Sequence, residues 1–428
     1  MIGIVMFFVA LLMLLVGFPV AFTFGGVALL FGVFAQGPEI FAFMPYRIYS
    51  IMNNTVLMAV PLFIFMGIVL QKTRLAEQLL ESMGQLFGGV RGGLAISTIL
   101  VGALLAASTG VVGASVVAMG LISLPVMLKY NYDKKIACGT ICASGTLGQI
   151  IPPSIVLIIL GDVMGIPVGD LFKAAVAPGV VLIGLYVLYI LFKAFVNKEV
   201  APALPAEASQ TKTEHYIKAI KSVLPPLVLI LVVLGSIFAG VATPTESSAL
   251  GGFGALVLAL LYRQFSWKMV YDSAAETVKI TSMVFAILLG ATAFSMAFTY
   301  TGGDQIIEDL LLGLPGEQMG FLILSMLVIL VLGFFIDFVE ISFIIVPMLA
   351  PVAEALGIAP LWFAILIAMN LQTSFLTPPF GFSLFYLKGV APASVRTTDI
   401  YKGVVPFIIM QISVVVSILL FPQWYGLN

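Results

Sequence analysis

The sequence predicts an all-α polytopic membrane protein, and its composition, its hydropathy and an internal repeat are the observations behind this prediction. Of the 428 residues, 61% are hydrophobic and only 9% are charged, and the mean hydropathy is +1.18. A soluble domain carries about 25% charged residues. Apolar runs of about 20 residues recur along the chain, and such runs cross a bilayer as helices because lipid satisfies no open backbone group. Their continuous apolar character excludes the alternating ~10-residue strands of a membrane barrel.

A polar segment at 197–221, "NKEVAPALPAEASQTKTEHYIKAIK", divides the chain into two similar halves. The stretch "LPVMLKYNYDKKIACGTICASGTLGQIIPP" (124–153) aligns without a gap with "APVAEALGIAPLWFAILIAMNLQTSFLTPP" (350–379). The alignment pairs Pro152 with Pro378 and Ser144 with Asn370. We therefore expect a first repeat at 1–196, a linker at 197–221 and a second repeat at 222–428.

Each repeat contains five predicted spans and one shorter helical hairpin. The first repeat has spans at about 2–17, 19–35, 51–71, 133–161 and 171–193, with a hairpin at 92–128. The second has spans at about 222–240, 245–262, 277–300, 360–387 and 403–422, with a hairpin at 318–350. Both hairpins are too short for two full crossings, so we interpret them as re-entrant. Because five crossings is an odd number, the second repeat must be inverted.

The basic residues define one face of the membrane. On this topology 17 of the 19 Lys and Arg residues fall on one side, which is the cytoplasmic side because cytoplasmic loops carry the excess of basic residues. Arg47 and Lys173 fall on the opposite side. The linker is therefore cytoplasmic and both termini are periplasmic. The first 18 residues lack a basic start and a cleavage motif, which favours a membrane span over a removed signal peptide.

The fourth span of each half is interrupted at mid-depth. Both interruptions combine small or polar residues with a Pro-Pro pair, in "CASGTLGQIIPPS" (142–154) and in "MNLQTSFLTPPFGFS" (369–383). Irregular backbone at membrane depth is tolerated where it is buried in protein or lines a polar cavity. Inverted repeats with broken helices are the organisation of a secondary transporter.

The hairpin tips are expected to face the broken helices. The tips are "AASTGVVGAS" (106–115) and "FFIDFVEIS" (334–342), and each would face the interruption in its own half. Their hard oxygen donors favour a cation such as sodium over a soft metal. The predicted sodium-site residues are Ser108, Gly110, Ser144, Gly145, Thr146, Gly148, Asp337, Asn370, Thr373 and Thr377. The predicted contacts to a carboxylate between the tips are Thr109, Ser115, Gln149, Gln372 and Ser374.

Structural roles compete with functional ones at several positions. "TPTE" (243–246) matches a helix capping box, and we expect that structural role. Glu340 lies either at hairpin depth beside Asp337 or at the surface, if the hairpin is shorter than predicted. Cys138 and Cys142 are expected to be apolar core residues rather than a disulfide or metal pair.

Several motifs occur in an order that resembles one known family. These are "VPLFIFMG" (60–67), "RGGLAIS" (91–97), "LGQIIPPS" (147–154), "ATPTESSALG" (242–251) and "TPPFG" (377–381). Together they resemble the large membrane subunit of the tripartite ATP-independent periplasmic (TRAP) transporters over essentially the whole chain. "ICASGTLGQIIPPS" and "NLQTSFLTPPFGF" look most similar to the mannitol/chloroaromatic-type branch.

The resemblance implies import of an organic acid, mostly a carboxylate, driven by a sodium gradient across the bacterial cytoplasmic membrane. It also implies a periplasmic substrate-binding protein, a small four-helix membrane subunit and an elevator mechanism, in which a transport domain slides past a scaffold. The family's sodium sites lie between each hairpin tip and its broken helix. "STGVVGAS" is more apolar, and "LQTSFL" bulkier and more polar, than the corresponding segments of many members.

Three other functions compete with sodium-coupled transport. A proton-coupled or self-sufficient carboxylate transporter of related plan would use Asp337 or Glu340 as its proton carrier. A membrane enzyme is disfavoured, because the only histidine, His215, lies in the linker and no nucleophile–base pair or catalytic metal spacing is found. No organic cofactor is expected. A passive channel fits two hairpins facing broken helices less well than alternating access does.

Overall fold

The computed structural model describes residues 1–73, 75–204 and 212–427, and within these ranges it contains helices and no strand. Single turns of 3₁₀ helix lie at Pro38–Phe41, Leu147–Gln149 and Pro422–Tyr425, and a π-helical turn lies at Ile341–Ile345. The α-helices are α1 (Ile2–Val16), α2 (Val20–Gln36), α3 (Met44–Met52), α4 (Ala59–Lys72), α5 (Leu75–Phe87), α6 (Gly93–Thr109), α7 (Val112–Lys129), α8 (Lys134–Thr146), α9 (Ile155–Met164), α10 (Val168–Val196), α11 (Lys212–Phe238), α12 (Pro244–Leu261), α13 (Trp267–Tyr300), α14 (Gly303–Leu312), α15 (Glu317–Leu332), α16 (Phe338–Glu340), α17 (Val346–Ala355), α18 (Pro360–Leu376), α19 (Phe382–Val390) and α20 (Thr397–Leu420).

Both predicted hairpins and both broken helices are present. The first hairpin is α6 and α7, and the second runs from α15 through α16 and the π-helical turn into α17. The first broken helix is α8 and α9, and the second is α18 and α19. The Pro152–Pro153 and Pro378–Pro379 peptide bonds, one in each interruption, are cis.

The membrane-spanning character of the helices agrees with the all-α prediction. In the described part of the chain, seven helices of at least 18 residues are long and apolar enough to cross a membrane. Several predicted spans are shorter apolar helices, among them α1, α2, α9 and α18. Each broken helix reaches membrane length only when its two parts are taken together.

The start of one predicted span was wrong. The third span begins at Ala59 rather than 51, because the Asn54 side chain accepts hydrogen bonds from the backbone N–H groups of Val56 and Leu57 and holds a turn there. The segment predicted as a linker is partly helical, since α11 begins at Lys212, and the apolar part of this helix begins at Ala219. Residues 205–211 lie outside the described part of the chain.

One group of helices pairs the two halves. Helix α2 packs along α13, and α4 packs along α12. The second span of each half therefore packs along the third span of the other half. The α2–α13 contact is close because Gly290 lies against the backbone of Ala21. At the start of α12, Thr243 and Glu246 form the predicted capping box. This exchange of partners supports the inverted repeat, which stays a prediction.

A second group interlocks the hairpins with the broken helices. Helix α8 packs against α6, α7 and α20, and its contact with α20 is so close that Gly139 faces the backbone of Gly403. Helix α9 packs against the second hairpin, and α19 packs against α7 of the first. Each broken helix therefore contacts the hairpins of both halves.

Candidate functional site

The first hairpin encloses the first interruption. A Cβ atom added at Gly102 of α6 would lie 2.6 Å from the Cβ atom of Ser144, and one at Gly148 would lie 2.9 Å from the carbonyl oxygen of Ala106. Gly110 at the hairpin tip packs against Ile155, the first residue of α9. The predicted pairing of the first tip with the first interruption is therefore present in the structure.

Hydroxyl groups close the tip of this hairpin. The Thr109 and Ser115 hydroxyls are hydrogen-bonded at 2.8 Å, which joins the end of α6 to the first turn of α7. Gly110 between them has a φ of 61°, a left-handed conformation that glycine adopts at little cost. The side chain of Ser108, a predicted sodium ligand, lies outside the described part of the structure.

The second hairpin encloses the second interruption in the same register. Gly333, after α15, lies against the Ser374 side chain, and the Asn370 side-chain amide donates to the carbonyl oxygen of Met326 at 2.6 Å. In the repeat alignment Ser374 corresponds to Gly148, which contacts the equivalent part of the first hairpin. At the tip, the rings of Phe338 and Phe375 are 6.2 Å apart.

The interruptions are narrower than the sequence suggested. Ser144, Gly145 and Thr146 form the last turn of α8, Gly148 lies in the 3₁₀ turn, and Asn370, Thr373 and Ser374 lie within α18. The irregular backbone is confined to the segments around the prolines, at 150–154 and 377–381. The expectation that the polar residues before the prolines are unwound was wrong. Serine and threonine can remain in a helix because their hydroxyls donate to backbone carbonyl oxygens one turn earlier.

These hydroxyls direct their protons away from the interruptions. Ser144 donates to Ile141 at 3.1 Å, Thr146 to Ala143 at 2.9 Å, Thr373 to Met369 at 3.0 Å and Thr377 to Thr373 at 2.7 Å, in each case to the backbone carbonyl oxygen. Since each proton is used locally, the oxygen lone pairs of Ser144, Thr373 and Thr377 remain available to accept, whereas the Thr146 oxygen also accepts from the Gln411 side chain at 3.4 Å. Such a set of neutral oxygen donors fits a hard monovalent cation.

The two acids of the second hairpin have different environments. Asp337 is partly exposed, and its carboxylate accepts a 2.6 Å hydrogen bond from the backbone N–H of Phe338. Glu340 is only 3% exposed, and its Oε2 atom has no hydrogen-bond partner in the described structure, as is true of the Ser342 hydroxyl in the adjoining π-helical turn. Glu340 is therefore buried with the hairpin rather than placed at the surface.

Two glutamines are the most unusual polar groups of the site. Gln149 and Gln372 are both 0% exposed, and neither amide oxygen nor amide nitrogen has a hydrogen-bond partner in the described structure. Helix α18, which carries Gln372, packs against the Leu147–Gln149 turn. Buried amides without partners cost about 1–3 kcal/mol each, and glutamine side chains rarely remain in this condition.

A model of the family described as "Tripartite ATP-independent periplasmic transporter, DctM component" matches residues 5–424. The chain belongs to this DctM family. It is 30% identical to the ectoine/5-hydroxyectoine TRAP transporter large permease protein UehC of Ruegeria pomeroyi over 97% of this chain and 96% of that protein. It is 28% identical to the C4-dicarboxylate TRAP transporter large permease protein DctM of Pseudomonas aeruginosa over 91% of this chain and 92% of that protein. These relatives are named as transporter permeases, not as enzymes.

Two further matches concern chain length and fold. The DctM-family chain spans 62% of the length of the isethionate TRAP transporter permease protein DctMQ of Oleidesulfovibrio alaskensis, to which it is 28% identical over 94% of its own length. The crystal structure of the Alcanivorax borkumensis YdaH transporter is similar with a TM-score of 0.62, 13% identity and coverage of 92% of this chain and 90% of that one. The YdaH likeness shows a shared fold.

Sequence reasoning missed a buried polar cluster behind the first broken helix. Gln411 of α20 is 0% exposed and donates to the Thr146 hydroxyl at 3.4 Å. The Tyr186 side chain of α10 is likewise fully buried. Gln411 could have been found, since it is a lone amide within the apolar run "VVPFIIMQISVVVSILL" of this DctM-family chain.

Proposed function

We propose that this chain is the large permease subunit of a sodium-driven importer of an organic acid. The observation that carries the proposal is the pair of enclosed interruptions, where hydroxyl oxygens with locally used protons occur in the same segments as two buried glutamine amides without partners. Sodium would be held between each hairpin tip and its broken helix, by oxygen atoms of Ser144 in the first half and of Thr373 and Asp337 in the second.

The substrate would bind between the two tips. Gln149 and Gln372 can each offer an N–H donor to a carboxylate and an oxygen to a hydroxyl or amino group. Two sodium ions nearby would offset the charge of a carboxylate, which lowers the cost of carrying it through the membrane. UehC and the Pseudomonas DctM are named for ectoine and C4-dicarboxylate, and both compounds are organic acids.

The transport step we infer is an elevator movement. The hairpins, broken helices and α20 pack as one group, whereas α2, α4, α12 and α13 form the other. The first group would move as a transport domain against the second as a scaffold. In the cell the chain would lie in the cytoplasmic membrane with both termini periplasmic. It would act with a small four-helix membrane subunit and a periplasmic binding protein that delivers the substrate.

Sodium binding is testable without the substrate or the partners. The purified chain should unfold at a higher temperature in sodium than in potassium at equal ionic strength, because a ligand that binds only the folded state stabilises it. The gain is about 1.4 kcal/mol when sodium is roughly tenfold above its Kd. Equal midpoints in the two salts would contradict sodium binding by this chain.

A matched pair of variants locates the effect. Thr373 and Thr98 are each 1% exposed, and each hydroxyl donates to a carbonyl four residues earlier, at 3.0 Å and 2.8 Å. Thr373→Val should remove most of the sodium-dependent gain, whereas Thr98→Val, on α6 and not among the predicted sodium-site residues, should keep it. Loss of the gain in both variants, or in neither, would contradict the site.

Proton coupling is the second candidate, and buried Glu340 with its unpartnered Oε2 atom favours it. In that case transport by the assembled system would follow a pH gradient at constant sodium, and Glu340→Gln would abolish this dependence. If transport instead follows sodium at fixed pH, the proton alternative fails.

A further inference from the structure

A cavity of about 650 Å³ lies apart from the interruptions, between α3, α9, α13 and the second hairpin. Its polar lining includes Arg47 of α3, Asp162 of α9, and Thr292, Ser295 and Thr299 of α13. Phe343, in the π-helical turn of the second hairpin, forms part of the opposite wall. The cavity therefore lies between α13 and the second hairpin, although α13 also packs against α16 and the π-helical turn of that hairpin.

The cavity runs along a long stretch of α13. Its lining on α13 extends from Leu288 to Tyr300, the last residue of that helix. At 1.5 Å per residue, this stretch covers about 18 Å. The cavity thus follows α13 inward from the end of the helix, beside a hairpin whose tip carries Asp337.

Two opposite charges line this route. Arg47 is exposed, and the one ion pair between described side chains is Lys72–Glu276, elsewhere in the fold. Asp162 is held in place, since its Oδ1 atom accepts a 2.6 Å hydrogen bond from the Asn54 side chain. Asn54 in turn accepts from two backbone N–H groups through its own side-chain oxygen. A fixed carboxylate and an unpaired guanidinium therefore face one water-accessible space.

We propose that this cavity is the outer entry site of the transporter, where Arg47 captures the carboxylate of the incoming substrate. Guanidinium binds carboxylate in a bidentate geometry. The hydroxyls of α13 continue the polar surface inward, and Asp162 accepts from the other end of the substrate. The inference rests on the proposed function for the direction of import and for the face of the membrane at which α13 ends.

The bipolar lining also selects among organic acids. A second carboxylate on the substrate would meet Asp162, and like charges repel when water is partly excluded. A substrate with an amino, amidinium or hydroxyl group opposite its carboxylate would instead donate to Asp162. The entry site therefore favours monocarboxylates with hydrogen-bond donors over dicarboxylates.

Charged thiol reagents can measure the local field without knowledge of the substrate. Ser295→Cys places a thiol in the cavity wall, and the two native cysteines are fully buried and contribute little background. In intact cells this thiol should react with both a sulfonate-bearing and a trimethylammonium-bearing methanethiosulfonate, neither of which crosses the membrane. The measured quantity is the ratio of the anionic rate to the cationic rate.

The ratio should respond to both charges in opposite directions. Adding Arg47→Gln should lower it about threefold or more, Arg47→Lys should keep it, and Asp162→Asn should raise it. Gln305→Cys, on exposed α14 and outside the cavity lining, is the control whose ratio Arg47→Gln should leave unchanged. The proposed entry site would be wrong if the Ser295→Cys thiol does not react from outside, or if Arg47→Gln leaves the rate ratio unchanged. The proposed preference for monocarboxylates would be wrong if Asp162→Asn leaves the ratio unchanged.

The outcome is separable from that of the proposed function. If sodium fails to stabilise the chain but the labelling follows Arg47, the cavity remains an outer anion route and the sodium coupling is wrong. If sodium stabilises the chain but the labelling ignores Arg47, the transporter stands and its entry route lies elsewhere.

Discussion

At the scale of single residues, Gln149 and Gln372 distinguish a binding site from a structural core. An amide that stabilises the fold is bonded, as in Asn370, which donates to the Met326 carbonyl at 2.6 Å. The two glutamines are as fully buried but have no partner for either polar atom in the described structure. Their burial therefore opposes folding, and the proposed contact with a substrate would explain their presence.

This contrast predicts opposite effects of similar substitutions. Gln149→Leu or Gln372→Leu removes unsatisfied polar atoms at similar volume, so the free energy of unfolding should stay equal or rise by about 1–3 kcal/mol, while transport by the assembled system is lost. Asn370→Leu breaks a buried hydrogen bond and should lower the free energy of unfolding by about 1–3 kcal/mol. Thermal unfolding of the purified variants measures the first quantity and reconstituted uptake the second. If the glutamine variants are clearly less stable, both amides are structural and the proposed substrate contacts are wrong.

At the scale of elements, the fit of each hairpin around its interruption depends on glycines at the crossing points. Gly102 of α6 has no room for a side chain, since a Cβ atom would come within 2.6 Å of the Ser144 Cβ atom. Gly184 of α10 has nothing within 4 Å of the same position. Both glycines lie inside helices, so replacing either by alanine gains the same helix propensity. The two substitutions therefore differ only in the packing around the added Cβ atom.

Gly102→Ala should therefore destabilise the chain, whereas Gly184→Ala should not. Overpacking costs about 1–3 kcal/mol, and the propensity gain at Gly184 is about 0.5–1 kcal/mol in favour of alanine. Because α6 forms one wall of the first interruption, Gly102→Ala should also reduce the stabilisation by sodium. Unfolding midpoints in sodium and in potassium report both effects. Equal unfolding midpoints for the two variants in both salts would show that the hairpin does not pack tightly against the interruption.

The same elements show how far the sequence could predict the structure. The proline pairs located both interruptions, because proline has no backbone N–H to continue a helix. Their extent was overestimated, since Thr146 and Thr373 satisfy their hydroxyls within the helix and no local pattern distinguishes this from unwinding. Asn54 delays the start of a predicted span through its own side-chain turn. The cavity at Arg47 depends on which helices of opposite halves pack together, and a single sequence does not report that.

At the scale of the whole molecule, the direction of every proposed step depends on which face of the protein is cytoplasmic. The distribution of basic residues makes a definite prediction, with 17 of the 19 Lys and Arg residues on one side. Arg47, which lines the proposed entry site, is one of the two exceptions. Few other basic side chains on this face would compete with Arg47 for an incoming anion, so the anion would bind preferentially at the entry site.

Two single cysteines test this orientation directly. Glu199→Cys lies just after α10 and Gln305→Cys lies on α14, and both positions are exposed, so access from the solvent should decide their labelling. With a membrane-impermeant thiol reagent, Gln305→Cys should react in intact cells and Glu199→Cys only in inside-out vesicles, because the predicted topology places the linker in the cytoplasm and α14 in the periplasm. Detergent-solubilised protein is the control, in which both thiols should react at similar rates. The reverse pattern would invert the topology and place Arg47 at an exit for the substrate. Labelling of both positions from the same side would contradict the three crossings predicted between them, and with these the topology on which the direction of import depends.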